Sequence, residues 1–440
     1  MAVYLRKFAT QAAYEAAQSN LMLPNVSLID DTRDVKYKPL KPDTRLVAVY
    51  NITDAGQSVE VFNGQFEGFT SMEVDGTELP EVTSSYSFDT TGEHTIKFGL
   101  NSQADIANAF FSYGMSRGEL TSVVIPSNVT NIGGGAFYGC TGLTSIDIPN
   151  SVTSIDYDAF YCCRGLTSIV IPDSVTSVGG GAFNGCDVLT SVTIGSGVTS
   201  IGDNAFGNCG SLTNITIDSN NNTYDSRDNC NAIIEASTNK LLCGCQNTVI
   251  PNSVTSIGNN AFNGCTGLTS IDIPNSITSI GEEAFWGCSS LTSIDIPNSV
   301  TSIDDSAFHY CRGLTSCTIG NSVTSIGDDT FNGCRGLTSI VIPDSVTSIG
   351  GGAFEDCTNL TSCTIGNSVT SIGSYVFEYC SSLASIVSNA TTAPTIQIRT
   401  FYGIKTGGTL TVPSGSSGYN VWMGTGNYYL GKYNWKKVEK

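Results

Sequence analysis

A single phrase recurs down this chain at a fixed interval. Leu268-Thr-Ser-Ile-Asp-Ile-Pro-Asn-Ser-Ile-Thr-Ser-Ile-Gly-Glu-Glu-Ala-Phe-Trp-Gly-Cys is followed, 23 residues after its first leucine, by the same phrase from Leu291. Leading leucines stand at 120, 143, 166, 189 and 212, and again at 268, 291, 314, 337, 360 and 383, always 23 apart except for one interval of 56. Self-similarity on such a period points to a solenoid, in which each unit buries its apolar face only against its neighbours. A solenoid grows in one dimension, so 440 residues need no division into several ordinary cores.

The unit led by Leu268 shows how one coil is built. Ile271 and Ile273 are two apart and point inward from one strand, which Pro274 ends. Ile277 and Ile280 belong to a second short extended run, and Ala284, Phe285 and Cys288 are expected on a turn of helix that closes the coil. A Leu-x-x-Ile-x-Ile core on this period is the signature of a leucine-rich-repeat solenoid. Just before the closing turn, Asp203, Glu282, Asp305 and Asp328 offer side-chain oxygens that would cap it and suit the helix dipole.

The expected fold is therefore a β-rich (α+β) leucine-rich-repeat solenoid of 23-residue units, preceded by a small β-sandwich-like domain and a short N-terminal helix. Residues 1–42 form an adaptor segment with a helix around 10–20 and a boundary at Pro39 and Pro42. Residues 43–105 alternate in short runs separated by Asp75-Gly76 and Thr91-Gly92, a small β domain that caps the first rung. The solenoid covers 106–387, because Ile106-Ala-Asn-Ala-Phe-Phe is already a degenerate half-repeat, and the 56-residue interval carries a β-hairpin insert at about 218–245. Residues 388–440 form a capping repeat and an aromatic cap in which Tyr419, Trp422, Tyr428, Tyr429, Tyr433 and Trp435 cover the last open rung.

The formal charge of −19 sits almost entirely on the repeats, which carry 22 Asp/Glu against 5 Lys/Arg between 120 and 387. Such a surface repels nucleic acid and anionic membrane. No stretch approaches the length of an apolar membrane span, and the first residues have no apolar core of a secretory signal. Of 16 cysteines, ten (140, 163, 186, 209, 265, 288, 311, 334, 357, 380) hold one place in the unit. At rung spacings of roughly 4.8 Å they form a ladder of small buried hydrophobes. Cys317 and Cys363 are separated by the rung of Ile340, about 9.6 Å apart on that spacing and too far to bond. Free thiols fit a reducing or anaerobic setting.

The phrase Leu-Thr-Ser-Ile-x-Ile-Pro-Asn-Ser-Val-Thr-Ser-Ile-Gly-x-x-Ala-Phe-x-Gly-Cys closely resembles the BspA-like leucine-rich repeats over about 106–413, including the hairpin insert. That resemblance implies surface proteins of gut Bacteroidales that take part in adhesion to host or microbial partners. The 72–98 stretch is similar to a small β domain that precedes such repeats. Leu5-Arg-Lys-Phe-Ala-Thr-Gln-Ala-Ala-Tyr and Leu23-Pro-Asn-Val-Ser-Leu resemble the openings of virion or prophage structural proteins of gut Bacteroides phages. This second resemblance implies display on a virion without secretion.

No catalytic constellation is present: His94 and His309 are 215 residues apart and neither lies in a nucleophile-positioning motif. The acid pairs Glu282-Glu283 and Asp328-Asp329 are accounted for by turn capping. No Asp-x-Asp-x-Asp-Gly loop supports calcium, and Cys230, Cys243 and Cys245 without a nearby histidine make a poor zinc set. No metal or cofactor is expected. The binding candidates are the two residues after each buried phenylalanine, a column that carries Tyr138, Tyr161, Trp286, His309, Tyr310 and Tyr379. Trp286 and His309 occupy adjacent rungs, and aromatic faces beside Asn and Asp suit a glycan or protein epitope. Scattered surface aromatics also occur without function.

These features describe a non-enzymatic adhesion or recognition protein that presents an acidic, polar face to surface glycans or proteins of a host or bacterial cell. Exposed Thr and Ser columns would add weak multivalent contacts. Residues 1–42 would dock it to an assembly partner, with the virion surface as its place and the bacterial cell surface as the alternative. A homo-oligomer is compatible with this reading, nucleic acid and membrane insertion are not, and the rival reading is a structural virion part without a ligand.

Overall fold

The computed structural model describes residues 44–101, 105–110 and 118–440. The expected adaptor and its helix lie outside the described residues. What is described is a β-solenoid of about 14 turns of roughly 23 residues.

The chain enters through strands β1 (Leu46–Ile52), β2 (Ser58–Glu60), β3 (Phe69–Val74), β4 (Thr77–Glu78), β5 (Ser85–Ser87) and β6 (Gly92–Leu100). Strands β4, β3, β6 and β1 form an antiparallel sheet, and β2 pairs with β5 as a separate ribbon. Phe62, Phe69, Phe88 and Phe98 are buried within this unit. Its sheet does not stop at the domain edge. Strand β1 pairs antiparallel with β7 (Leu120–Val124), which then pairs parallel with Ser145–Asp147 of the next coil. The open edge of the first full rung is thereby covered, as an exposed sheet edge requires.

Each coil contributes to three ladders that run along the solenoid. The Ser-Ile-x-Ile strands stack in parallel register, for example Ile169 on Val192 and Val192 on Ile215. The second runs stack likewise, with Ile280 on Ile303 and Ile303 on Ile326. Leu, Ile, Phe and Cys point into the core and are buried in coil after coil. The phenylalanines form two stacks, Phe110 to Phe206 and Phe262 to Phe401, with successive rings nearly parallel and 4.9–5.9 Å apart. Burial of each ring contributes about 1.5–3 kcal/mol, so the stacks add to the cohesion that the buried Leu and Ile ladders give. Trp422 closes the second stack 5.3 Å from Phe401, its indole N–H donating to the Pro394 carbonyl.

The third ladder corrects the expectation of a helical turn. No α-helix occurs among the described residues. In the Leu268 coil, Ala284, Trp286 and Cys288 donate to the carbonyls three residues back, as in successive tight turns. The intervening Glu283, Phe285 and Gly287 instead donate forward, to Asp305, Ala307 and His309 of the next coil, at 3.1, 2.7 and 2.7 Å. A helix would turn every N–H along its own axis; here alternate N–H groups are spent between coils.

Side chains reinforce these ladders. Cys163, Cys186, Cys209, Cys288, Cys311, Cys334, Cys357 and Cys380 donate their thiols to the phenylalanine carbonyl of the coil before, at 3.1–3.3 Å. All sixteen cysteines are free, and the ten of the ladder are buried. The Asx and Thr columns act between coils as well. Asp305 and Asp328 accept from the backbone N–H of Asp328 and Gly351 in the following coil, not from their own turn. Thr278, Thr301, Thr324 and Thr347 donate their hydroxyls to the carbonyls of Thr255, Thr278, Thr301 and Thr324, and Thr292, Thr315 and Thr338 form a second such column. The threonines expected to offer their hydroxyls to a ligand therefore donate them within the fold.

The 56-residue interval resolves into two coils. Residues 212–244 make one of 33 residues, and residues 245–267 make one of 23 led by Cys245 in place of leucine. The second hides in the sequence because Thr248 stands where the first core isoleucine belongs. Thr248 is buried, and its hydroxyl accepts from the Cys245 N–H and donates to the Asn231 carbonyl. The longer coil contains a hairpin, Ile233–Glu235 with Lys240–Cys243, whose second strand pairs parallel with Ser256–Ile257. The hairpin is thus part of the short-strand sheet and widens it.

Candidate recognition site

Two positions in every corner turn adopt the left-handed region. The second residue after the phenylalanine has φ between 54° and 74° wherever that position is described: Gly139, Cys162, Gly185, Asn208, Gly264, Gly287, Tyr310, Gly333, Asp356, Tyr379 and Gly403. The geometry follows from the alternation of forward and local hydrogen bonds, and glycine, asparagine and aspartate tolerate it best. For any other L-residue it costs about 1–2 kcal/mol. Tyr310 (φ 57°) and Tyr379 (φ 58°) occupy it nonetheless. The companion position four residues earlier is Gly, Asp, Asn, Glu or Ser in most coils but Tyr375 (φ 66°) near the C-terminal end, and Arg399 (φ 59°) follows one coil later. Strained bulky residues persist where the surrounding structure and function hold them.

These side chains gather into three aromatic groups on the corner. Tyr138 and Tyr161 stack at 4.7 Å, with interplanar angle 13°. Trp286 meets His309 edge-on at 6.4 Å and Tyr310 at 6.0 Å, while His309 lies 4.1 Å from Tyr310. The Arg312 guanidinium stands 5.2 Å over the Tyr310 ring. Burial holds the His309 imidazole below its ordinary pKa against the opposing pull of Asp329, so the ring is neutral at pH 7. Its Nε2 is buried without a partner among the described residues.

The third group is only partly legible in the sequence. Tyr379 stands out in the repeat column, but its neighbours Tyr402, Tyr375 and Arg399 do not. Arg399 lies 4.5 Å from the Tyr402 ring centre and 5.7 Å from that of Tyr375, and it pairs with the buried carboxylate of Glu378. Burial raises the Glu378 pKa even with Arg399 beside it. Tyr379 meets Tyr402 edge-on at 5.7 Å, and Tyr428 from the cap stands 6.4 Å beyond. The signal is the phrase Thr400-Phe401-Tyr402-Gly403, a worn copy of Ala-Phe-x-Gly. Between the groups lie rungs of Asn184, Asn263, Asn332 and Glu355, so the column is three patches and not one stripe.

Groups of three or more His, Cys, Asp or Glu placed to hold a metal do not occur among the described residues. Models of protein families match residues 104–234, 233–321 and 301–419 to the BspA type leucine rich repeat region. The chain belongs to the BspA-type leucine-rich-repeat family.

The chain is similar to several solved structures. A leucine rich cell surface protein from Faecalibacterium prausnitzii is 28% identical, with a TM-score of 0.45, over 70% of this chain and 85% of its own. A leucine-rich repeat protein from Bacteroides ovatus is 26% identical, with a TM-score of 0.44, over 82% and 90%. One from Eubacterium ventriosum, 21% identical with a TM-score of 0.50 over 70% and 94%, shares the fold. No curated protein matches the sequence. No described helix of this BspA-type chain is long and apolar enough to cross a membrane.

Proposed function

We propose that this BspA-type solenoid is a non-enzymatic recognition and adhesion protein whose binding edge is the corner that carries the three aromatic groups. The observation that carries this reading is the pair Tyr310 and Tyr379: bulky aromatics held in a left-handed conformation that glycine or aspartate fills in the neighbouring coils. Tyrosine, tryptophan and arginine dominate binding hot spots, and these patches combine all three. The threonine columns, whose hydroxyls donate to the preceding coil, are scaffold in this reading.

Family membership supports display at a surface. The ligand is a surface glycan or protein of a bacterial or host cell. We place the protein on a virion, docked through residues 1–42, with the bacterial cell surface as the second setting; the N-terminal resemblance to phage virion proteins supports the first. The test is binding of the labelled full chain to gut bacterial cells, capsular glycans and matrix proteins, beside the Trp286→Ala/His309→Ala variant. Selective binding that the variant loses supports recognition. No binding anywhere, even by a multimer, would replace it with a structural role.

A further inference from the structure

The corner ladder is broken at one place. In each described coil from Asn108 to Tyr379 apart from this junction, the N–H groups of the first left-handed residue and of the phenylalanine pass to carbonyls of the next coil. In the Leu189 coil only Asn208 reaches across, to the Asn263 carbonyl at 2.8 Å. The N–H groups of Asn204 and Phe206 have no partner among the described residues. The reason is topological. The 33-residue coil spends its corner on the hairpin, so the Leu189 coil faces the Cys245 coil across a gap in which the phenylalanine stack is interrupted.

That gap is a cleft open to solvent, lined by residues 201–207, Lys240, Leu242, Cys243, Asn259 and Asn260. Next to Gly207, Asn208 bridges the two coils, its N–H donating to the Asn263 carbonyl. The lining is rich in donors. Asn259 Oδ1 already accepts from the Glu282 N–H and Asn260 Oδ1 from the Asn263 amide, which leaves both amide nitrogens to donate. Lys240 is the one repeat cation with neither an ion pair nor an aromatic partner among the described residues: Arg164, Arg227 and Arg335 pair with Asp187, Asp225 and Asp356, and Arg312 covers Tyr310. The exposed Asp203 carboxylate is an acceptor at the lining, while Asn204 Oδ1 is buried without a partner among the described residues. Leu242 and Ala205 supply apolar wall.

We propose that this cleft binds a terminal acidic sugar, a hexuronate or a sialate-class residue. Its carboxylate takes the N–H groups of Asn204 and Phe206 with Lys240 alongside, since alternating backbone conformations that aim N–H groups into a concavity favour anions. A ring hydroxyl accepts from the Asn259 and Asn260 amides. The Asn208–Asn263 bridge beside Gly207 suits a terminal group better than a through-running chain, and the exposed Asp203 carboxylate at the lining disfavours a second anionic group. The site is separate from the aromatic corner.

The test is titration of the full chain with glucuronate, galacturonate, N-acetylneuraminate, glucose and an N-acetylated dipeptide bearing a free C-terminal carboxylate, followed by calorimetry or saturation-transfer NMR. At least one acidic sugar should bind, with glucose and the dipeptide at least tenfold weaker. Lys240→Met should weaken it at least tenfold and Lys240→Arg restore most of it. Gly207→Asn, which copies Asn184 and Asn263 at the same position in neighbouring coils, should close the cleft and abolish binding. Trp286→Ala/His309→Ala should leave it unchanged, so this site and the aromatic corner fail independently. Equal binding of glucose, stronger binding of the dipeptide, indifference to Lys240→Met in a chain with unchanged circular dichroism, or no binding of any acidic sugar would each overturn the proposal.

Discussion

The corner geometry makes a signed prediction at residue 310. Glycine in an ordinary strand or helix is about 0.5–1 kcal/mol worse than alanine, because it has more freedom to lose. At φ 57° the order should invert. Alanine there incurs the left-handed penalty of about 1–2 kcal/mol, which glycine escapes, so glycine should lead by about 0.5–1 kcal/mol. The native tyrosine bears the same penalty but offsets it through Trp286, His309 and Arg312. Exposed cation–π contacts contribute about 0.5–1 kcal/mol and aromatic pairs about 0.5–1.5 kcal/mol. Tyr310→Gly should therefore be about as stable as the native chain, and Tyr310→Ala clearly less stable than either. Gly287→Ala is the mirror control. A Cβ there meets nothing closer than 3.8 Å, so its cost is conformational alone. Urea unfolding followed by far-UV circular dichroism gives the midpoints. Tyr310→Ala as stable as Tyr310→Gly would refute the account of the corner.

Three further outcomes follow. In the native chain one thiol, Cys162, should react readily with Ellman's reagent: Cys162, Cys243 and Cys317 are partly exposed residues, but burial pushes the Cys243 and Cys317 thiols up, as it does those of the ladder, Cys311 to about 12; all sixteen should react after denaturation, and Cys162→Ser should abolish the native signal. Thr301→Val, Thr324→Val and Thr347→Val should each lower stability by about 0.5–1.5 kcal/mol through a lost inter-coil hydrogen bond, measured by urea unfolding, while cell binding stays intact. In the β domain His94 lies 2.7 Å from Asp75 and 2.9 Å from the Thr90 carbonyl, acceptors that together favour the imidazolium. The Asp75 bond raises its pKa above the ordinary value. Its stabilisation should be complete below the unfolded value of about 6.5 and lost as pH rises through the folded one. Thermal melts from pH 5 to 8 should show that trend, and Asp75→Asn should flatten it.

Much of the fold is legible in the sequence because a solenoid repeats its constraints. Ile271, Ile273, Phe285 and Cys288 recur at fixed offsets, and their burial follows from period alone. The corner reads wrongly as a helix because apolar Ala284, Phe285 and Cys288 have helical spacing. Yet the recurrent Gly, Asn or Asp two places after the phenylalanine already marks a left-handed residue that no helix interior accepts. The Cys245 coil is hidden by Cys245 and Thr248, two substitutions that make sense only beside the hairpin's Asn231 carbonyl. The threonine columns look available because a sequence gives exposure without showing where a hydroxyl points. Of the aromatic site, Trp286, His309 and Tyr310 come together by adjacency of rungs. Tyr375, Tyr402 and Arg399 escape notice because their partnership depends on coils whose phrase has decayed.

The central claim is that recognition resides on the aromatic corner, and its most direct test is the affinity of the Tyr310→Gly/Tyr379→Gly chain for the cells that the native chain binds. Both replacements are by the residue that an adjacent coil uses, Gly287 or Gly333 beside Tyr310 and Gly403 beside Tyr379, so the solenoid stays folded while two aromatic patches lose a principal ring. The account predicts an affinity at least tenfold lower, as truncation of hot-spot residues produces, with unchanged circular dichroism. Undiminished affinity in that chain, together with binding lost in the threonine-column variants, would contradict it.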